Sequence, residues 1–340
     1  MMTASFEGVP FVSELSLLPE TLCRSASQQL RGRIAGWRQN VWAGCTPRGW
    51  SLTVLCCTLL GLSGCSGGVL EPRGPIGAAN RLILFNALEI MLTIVVPTII
   101  AGLVFAWWFR ESNPRASYQP RFAYSGRIEL IVWSIPILVI CFLGGVIWIG
   151  AHDLDPAKPI GSQFKPLQVQ VVSLDWKWLF IYPDQGVASV NQLVLPAGVP
   201  VHFDLTSASV MNVFFVPQLG SMIYTMNHMV TQLSLQADHA GDYYGESAQF
   251  SGDGFADMHF VVHAVAPNEF SSWVTRTRQA GPVLDRAGYE GLFRQDTTAP
   301  MTYRGVEPAL FQATVTQQIP PQPGPNTATG EQRVHPTPEH

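Results

Sequence analysis

The sequence predicts an α+β membrane protein: a two-helix transmembrane hairpin, then a β-sandwich, then short C-terminal helices. Three observations predict it. Two apolar runs at 82–109 and 128–151 are each long enough to cross a bilayer. From His152 onward, short period-two segments separated by turn residues replace them. From Pro267 the apolar spacing lengthens to that of amphipathic helices. Composition agrees, since only 13% of the 340 residues are charged and mean hydropathy is +0.18.

Residues 1–64 read as a leader with an export signal. Arg24, Arg31, Arg33, Arg38 and Arg48 precede the short apolar run Trp50–Cys65. A basic flank, a short apolar core and small residues make a secretory signal, too short to span a membrane. Its end, Leu62-Ser63-Gly64-Cys65, resembles the bacterial lipoprotein box, in which the cysteine becomes the lipidated N-terminus. Residues 65–81 are then a lipid-anchored tether, flexible at Ser66-Gly67-Gly68. An ordinary signal cleavage site is the alternative. The stretch before Arg48 is long for a signal peptide, as a start site placed too far upstream would make it. All six cysteines precede residue 142, so the polar half has no thiolate of its own.

The first apolar run lies between Arg81 and Arg110 and ends in the interfacial pair Trp107-Trp108. Glu89 and Pro97 interrupt it. A carboxyl is costly in lipid and should face protein or water, which implies a partner subunit. The loop 110–127 carries Arg110, Arg115, Arg121 and Arg127 against Glu111, so it is expected on the cytoplasmic side. Both chain ends then lie outside, in agreement with an exported Cys65. The second run contains Pro136 and opens at Glu129, a carboxylate that the helix macrodipole favours there.

Residues 152–266 form the expected sandwich. Leu167–Val171, Val201–Leu205, Thr231–Gln236 and Met258–Val265 are its clearest strands, with turns at Pro183–Gly186, Pro196–Gly198 and Asp238–Gly241. The spacing gives about eight or nine short strands, as in a sandwich or small barrel. Residues 267–316 form a helical segment carrying Phe270, Trp273, Val274, Tyr289, Leu292 and Phe293. The tail 317–340, rich in Pro, Gly, Thr and Gln, is expected to be disordered. Residues 152–340 hold 17 Asp and Glu against 9 Lys and Arg, and the whole chain is at −4, so nothing in the charge points to a nucleic-acid partner and none is expected. His259 and His263, roughly 13 Å apart along one strand face, read as two surface histidines rather than a metal pair.

Two corners of the sandwich carry a resemblance. Val210-Met-Asn-Val-Phe-Phe-Val-Pro-Gln-Leu-Gly220 resembles the Val-x-His-Ser-Trp-x-x-Pro-x-Leu-Gly segment of subunit II of the haem–copper respiratory oxidases, with Asn212 at the histidine ligand. Tyr244–Met258 is similar to the Cys-x-Glu-x-Cys-x-x-x-His-x-x-Met segment that holds their binuclear copper. Glu246 and Phe250 stand at the two cysteines, Gly254 at the histidine and Asp257 at the methionine, with Met258 one position out of register. A corner without thiolate or imidazole offers no soft ligand set for copper. That pattern is similar to the quinol-oxidising branch, and most similar to subunit II of cytochrome bo-type ubiquinol oxidases. The text that carries this is Ser63-Gly64-Cys65, Asp175-Trp-Lys-Trp-Leu-Phe-Ile-Tyr-Pro183, Ser207–Asn212, Ser251-Gly252 and Ser272-Trp273, over roughly residues 62–315.

The resemblance implies a cupredoxin-like sandwich, periplasmic, on a bacterial inner-membrane protein. It implies a complex that oxidises ubiquinol, reduces oxygen to water and moves protons outward. The haems, copper and quinol site would lie on subunit I. This chain would be a non-catalytic subunit binding no cofactor, with subunits I, III and IV and membrane lipid as partners and no cytochrome c. It also marks Glu129 as the mouth of a proton path, with Glu89 a second candidate. Trp176 and Trp178 match the position where related oxidases receive electrons, and here a packing role is expected. The alternatives are an active copper subunit, which needs ligands the second corner lacks, and a lipid-anchored binding module with no oxidase partner.

Overall fold

A computed structural model describes residues 68–117, 119–322 and 324. The leader, Cys65 and most of the expected tail lie outside them. Helices α1 (Pro75–Trp108) and α2 (Gly126–Asp153) are both long and apolar enough to cross a membrane. Residues 75–81, expected to belong to the tether, are instead the first turns of α1, which begins at Pro75. Proline presets the first-turn φ and gives up an N–H that has no helical partner there. Arg81 does not delimit the helix; its guanidinium reaches back to the Leu70 carbonyl at 3.3 Å.

The start of α1 and the residues just before it dock on the sandwich. Arg73 N donates to Gln218 O at 2.7 Å, Gly77 N to Leu219 O at 3.0 Å, and Asp238 N to Arg73 O at 2.8 Å. Asn80 Nδ2 adds a 3.0 Å bond to Ser221 Oγ. Just beyond the end of α2, Pro156 O accepts from Ser234 N at 2.8 Å. Gly74 sits where a Cβ would come 2.0 Å from the Gln236 carbonyl oxygen, a backbone atom that cannot rotate aside. Gly74→Ala is therefore expected to loosen this docking by about 1–3 kcal/mol. Hydrogen exchange should show Arg73, Gly77 and Asp238 losing protection together, and unchanged protection would refute the contact.

The sandwich comprises β1 (Leu167–Leu174), β2 (Lys177–Tyr182), β3 (Val187–Val190), β4 (Gln192–Pro196), β5 (Val201–Ser207), β6 (Asn212–Phe215), β7 (Ile223–Thr225), β8 (Thr231–Leu235), β9 (Gly241–Ser247) and β10 (His259–Val265). The C-terminal segment holds α3 (Pro267–Gln279), β11 (Val283–Leu284), α4 (Arg286–Gly291), β12 (Met301–Tyr303), β13 (Gly305–Val306) and α5 (Leu310–Val315). One sheet runs β12-β3-β2-β1-β5-β8 and the facing sheet β4-β10-β9-β6-β7. Parallel pairs β1–β5 and β10–β4 sit among antiparallel neighbours.

Between the sheets lies an aromatic core. Trp178 meets Phe214 and Phe260 edge-on at 5.5 and 5.7 Å, and Phe214 stacks on Phe260 at 5.2 Å. These geometries match the ring quadrupoles. A second core covers the outer face of β1 and β2, where Val172, Leu174, Leu179 and Ile181 meet Leu284, Tyr289, Leu292, Leu310, Phe311 and Ile319. Every residue of β2 is consequently buried, which is why its sequence shows no alternation. Two expectations for the C-terminus are corrected. The 267–316 segment contains three short strands as well as helices, because β12 pairs with the edge strand β3. The tail is not free from residue 317: Ile319 and Gln322 are buried, one in the second core and the other bonded to Ala208 O at 2.7 Å.

Candidate functional site

The two corners named by the sequence meet at one end of the sandwich, since β6 pairs with β9 through Phe214↔Ser247 and Phe215↔Glu246. Asn212 opens β6 with its side chain fully buried. Its Nδ2 donates to Val210 O at 3.3 Å and its Oδ1 accepts from Ser247 Oγ at 3.3 Å. Below it, Ser173 Oγ and Thr225 Oγ1 are 2.9 Å apart. Thr225 Oγ1 donates to the Asn212 backbone carbonyl at 3.3 Å, so the residue is tied into a neutral hydrogen-bond network linking the two sheets.

The second corner is closed by an indole. Trp176 lies at the two-residue turn joining β1 to β2, at φ 65°, an uncommon conformation for a bulky side chain. It is only 3% exposed, and its Nε1 donates to Ser251 O at 3.2 Å. Gly254 lies against its ring face, where a Cβ would fall 2.3 Å from the indole Cδ2. The space beside the histidine position of the copper segment is therefore filled by a ring from the β1–β2 turn. Phe250 is 71% exposed and meets Phe255 edge-on at 5.6 Å. Asp257 is exposed on the 3-10 turn Phe255–Asp257. Glu246 stands opposite His259 in the β9–β10 ladder. Met258 is buried, with Ser251 Oγ 3.9 Å from its sulfur. An amide, an exposed phenyl and a glycine under an indole do not form a soft ligand set. Among the described residues, no three His, Cys, Asp or Glu side chains gather closely enough to hold a metal ion.

The other named residues lie apart from this corner. His263 Nδ1 is 2.6 Å from Asp242 Oδ1, and His259 stacks on Tyr244 at 5.9 Å, so each histidine has its own cross-strand partner. Trp178 belongs to the aromatic core. Glu129 is exposed in the first turn of α2. Glu89 is exposed on α1, where Thr93 Oγ1 donates to its backbone carbonyl at 2.8 Å. Cys65 is outside the described residues.

Sequence reasoning missed a polar cluster on the back of the same turn. Asp175 and Lys177 flank Trp176, and both are almost wholly buried. Asp175 accepts from Ser209 Oγ, and from Gln295 Nε2 at 3.0 Å. Lys177 Nζ donates to Leu292 O at 3.2 Å, Arg294 O at 2.7 Å and Asp296 Oδ1 at 2.6 Å. Gln322 Nε2 adds a 2.6 Å bond to Phe293 O. The turn that seats Trp176 is thereby bolted to the C-terminal segment. The available signal was a lysine inside an otherwise apolar strand, which demands buried partners.

The family model described as cytochrome c oxidase subunit II, periplasmic domain, matches residues 183–265. Ubiquinol oxidase subunit 2 of Acetobacter aceti is 46% identical over 256 residues, 75% of this chain and 83% of that protein. The chain belongs to the quinol oxidase subunit II family. Cytochrome bo(3) ubiquinol oxidase subunit 2 of Pseudomonas putida is 45% identical, covering 76% of this chain and 82% of that one. The corresponding protein of Pseudomonas aeruginosa is 44% identical, covering 74% and 76%. As a subunit II, the chain combines two membrane-length helices with the periplasmic sandwich of the oxidase family, and family membership implies association with other oxidase subunits.

Proposed function

We propose that this chain is a non-catalytic subunit of a complex that oxidises ubiquinol, reduces oxygen to water and translocates protons. Electron transfer and oxygen chemistry occur on subunit I, and the sandwich binds no binuclear copper. The observation that carries this reading is the closed second corner, with Gly254 beneath the Trp176 ring and no thiolate or imidazole beside it. A soluble external donor needs an external acceptor, whereas quinol reaches a membrane-embedded site through the lipid. A subunit without the acceptor suits the second donor. Subunits I, III and IV are the proposed partners, Cys65 the proposed lipid attachment, and Glu129 and Glu89 the proposed proton-path carboxylates.

Purification from membranes in mild detergent tests it. Haem absorbance and ubiquinol-dependent oxygen uptake should co-migrate with the chain. Electron paramagnetic resonance should give no thiolate-copper signal from the periplasmic domain. A chain that migrates without haem would favour a lipid-anchored binding module instead, and a mixed-valence copper signal would overturn the reading of the corner.

A further inference from the structure

Just before α1 the chain doubles back on the helix. Gly68–Leu70 is one 3-10 turn, closed by Glu71 N donating to Gly68 O at 3.1 Å. Arg81, six residues after Pro75, reaches back with Nη1 to the Leu70 carbonyl at 3.3 Å. The sandwich holds the turn as well. Gln218 Nε2 donates to the Glu71 carbonyl at 3.4 Å, beside the bond from Arg73 N to Gln218 O. The turn is thereby fixed against the start of α1 rather than left trailing from it.

The two helices together mark where lipid begins. The apolar side chains of α2 continue to Ile149. On the next residue, Gly150, a Cβ would meet Ile83 Cδ1 at 2.7 Å. The boundary on the sandwich side therefore lies near Gly150 on α2 and near Ile83 on α1. Trp148, 69% exposed, sits there as an interfacial aromatic. The headgroup layer adds about 5–7 Å beyond the hydrocarbon, which a helix crosses in about three to five residues. Arg81 lies in that layer, and the Leu70 carbonyl is bonded to it there.

The exposed groups at this level suit a phospholipid. Val69 and Leu70 are 39% and 42% exposed, and the exposed apolar surface of α1 begins at Leu82, directly after Arg81. Glu71 and Arg73 are paired with each other. Among the described residues Arg81 has no carboxylate within ion-pair distance, and its guanidinium is exposed. Aliphatic side chains match the glycerol and upper acyl region, and a guanidinium binds phosphate by charge-assisted hydrogen bonds. We propose that the Gly68–Leu70 turn and Arg81 form a phospholipid-contact site in the sandwich-side headgroup layer. Val69 and Leu70 enter the layer, and Arg81 takes a lipid phosphate while one N–H pins the turn. This rests on α1 and α2 spanning the bilayer. It is independent of acylation at Cys65 and of where electrons flow.

The full chain, with whatever subunits purify with it, would be placed in nanodiscs of phosphatidylethanolamine and phosphatidylglycerol. The photo-crosslinker p-benzoylphenylalanine would replace Leu70, and mass spectrometry would identify what it captures. The same probe at Leu103, 68% exposed on α1, is the positive control, and at Phe250, on the closed corner, the negative one. A phospholipid adduct is expected from Leu70 and from Leu103, and none from Phe250. Adding Arg81→Gln should lower the Leu70 adduct severalfold while leaving the Leu103 adduct unchanged. An adduct from Leu70 to another protein subunit, or none while Leu103 captures lipid, would overturn the site and leave the spanning helices standing. No lipid at either position would overturn both. A yield at Leu70 indifferent to Arg81→Gln would refute the part given to the guanidinium. Should the Leu70 variant fail to accumulate, Val69 carries the same probe with the same expected results.

Discussion

Gly254→His, which places an imidazole at the position the copper segment uses, is expected to destabilise the sandwich by about 3 kcal/mol. The reason is steric. Even a Cβ would meet the Trp176 ring at 2.3 Å, and the ring is fixed by its Ser251 bond and by the turn beneath it. For a domain of this size, such a loss lowers the melting temperature by about 6–12 °C. A thermal melt followed by tryptophan fluorescence would read it. Adding Trp176→Gly should recover part of the loss, giving a coupling of about 1–3 kcal/mol in the double-mutant cycle. Additive single effects would show that the indole is not the obstacle.

Asp296→Ala is the second large effect. Lys177 is 1% exposed, and Asp296, at 42%, is its only carboxylate partner within ion-pair distance among the described residues. Removing one member of a buried pair costs about 3–5 kcal/mol, and the partial exposure of Asp296 places this case near the low end. The loss should carry a pH signature. Burial pushes the Lys177 ammonium below its ordinary 10.5, with the Asp296 hydrogen bond and charge opposing the shift. The unfolded chain then holds this proton more tightly than the folded one, so stability rises with pH between the folded value and 10.5. Without Asp296 the folded value falls further, and the rise should begin at lower pH. Burial acts on Tyr289 in the other direction, raising its phenol to about 12, so its stabilising contribution is lost as pH climbs past its ordinary 10.0. Denaturant titrations kept below pH 10 therefore isolate the lysine. An Asp296→Ala profile parallel to the wild type would count against the pairing.

Much of the fold is legible in the sequence because its signals are local. Period-two segments at Leu167–Val171 and Val201–Leu205 lie within β1 and β5, and the two apolar runs lie within α1 and α2. What was not legible depends on distant contacts. The second core joins β1 and β2 to residues more than a hundred positions later, and it removes the alternation from Lys177–Tyr182. The short strands β11–β13 have too few residues for a period, and β12 exists because β3 offers a free edge. At the candidate site the missing ligands were readable from residue types alone. The cause of Gly254's small size was not, since Trp176 is 78 positions away in sequence and meets it only through the packing of the two sheets. The start of α1 was misplaced for the same reason: residues before 82 are helical on account of a protein surface rather than lipid.

That surface gives the protein a mechanical property. Segments at the sandwich-side ends of both helices bind the sandwich by backbone hydrogen bonds, at Ser234 just after the second and at Gln218, Leu219 and Asp238 around the start of the first. Such bonds have no side-chain slack, so the domain is mounted as a bracket rather than hung on a cord. A change in the angle of either helix is therefore carried directly into the sandwich, and its closed corner is aimed by the chain segments at the helix ends.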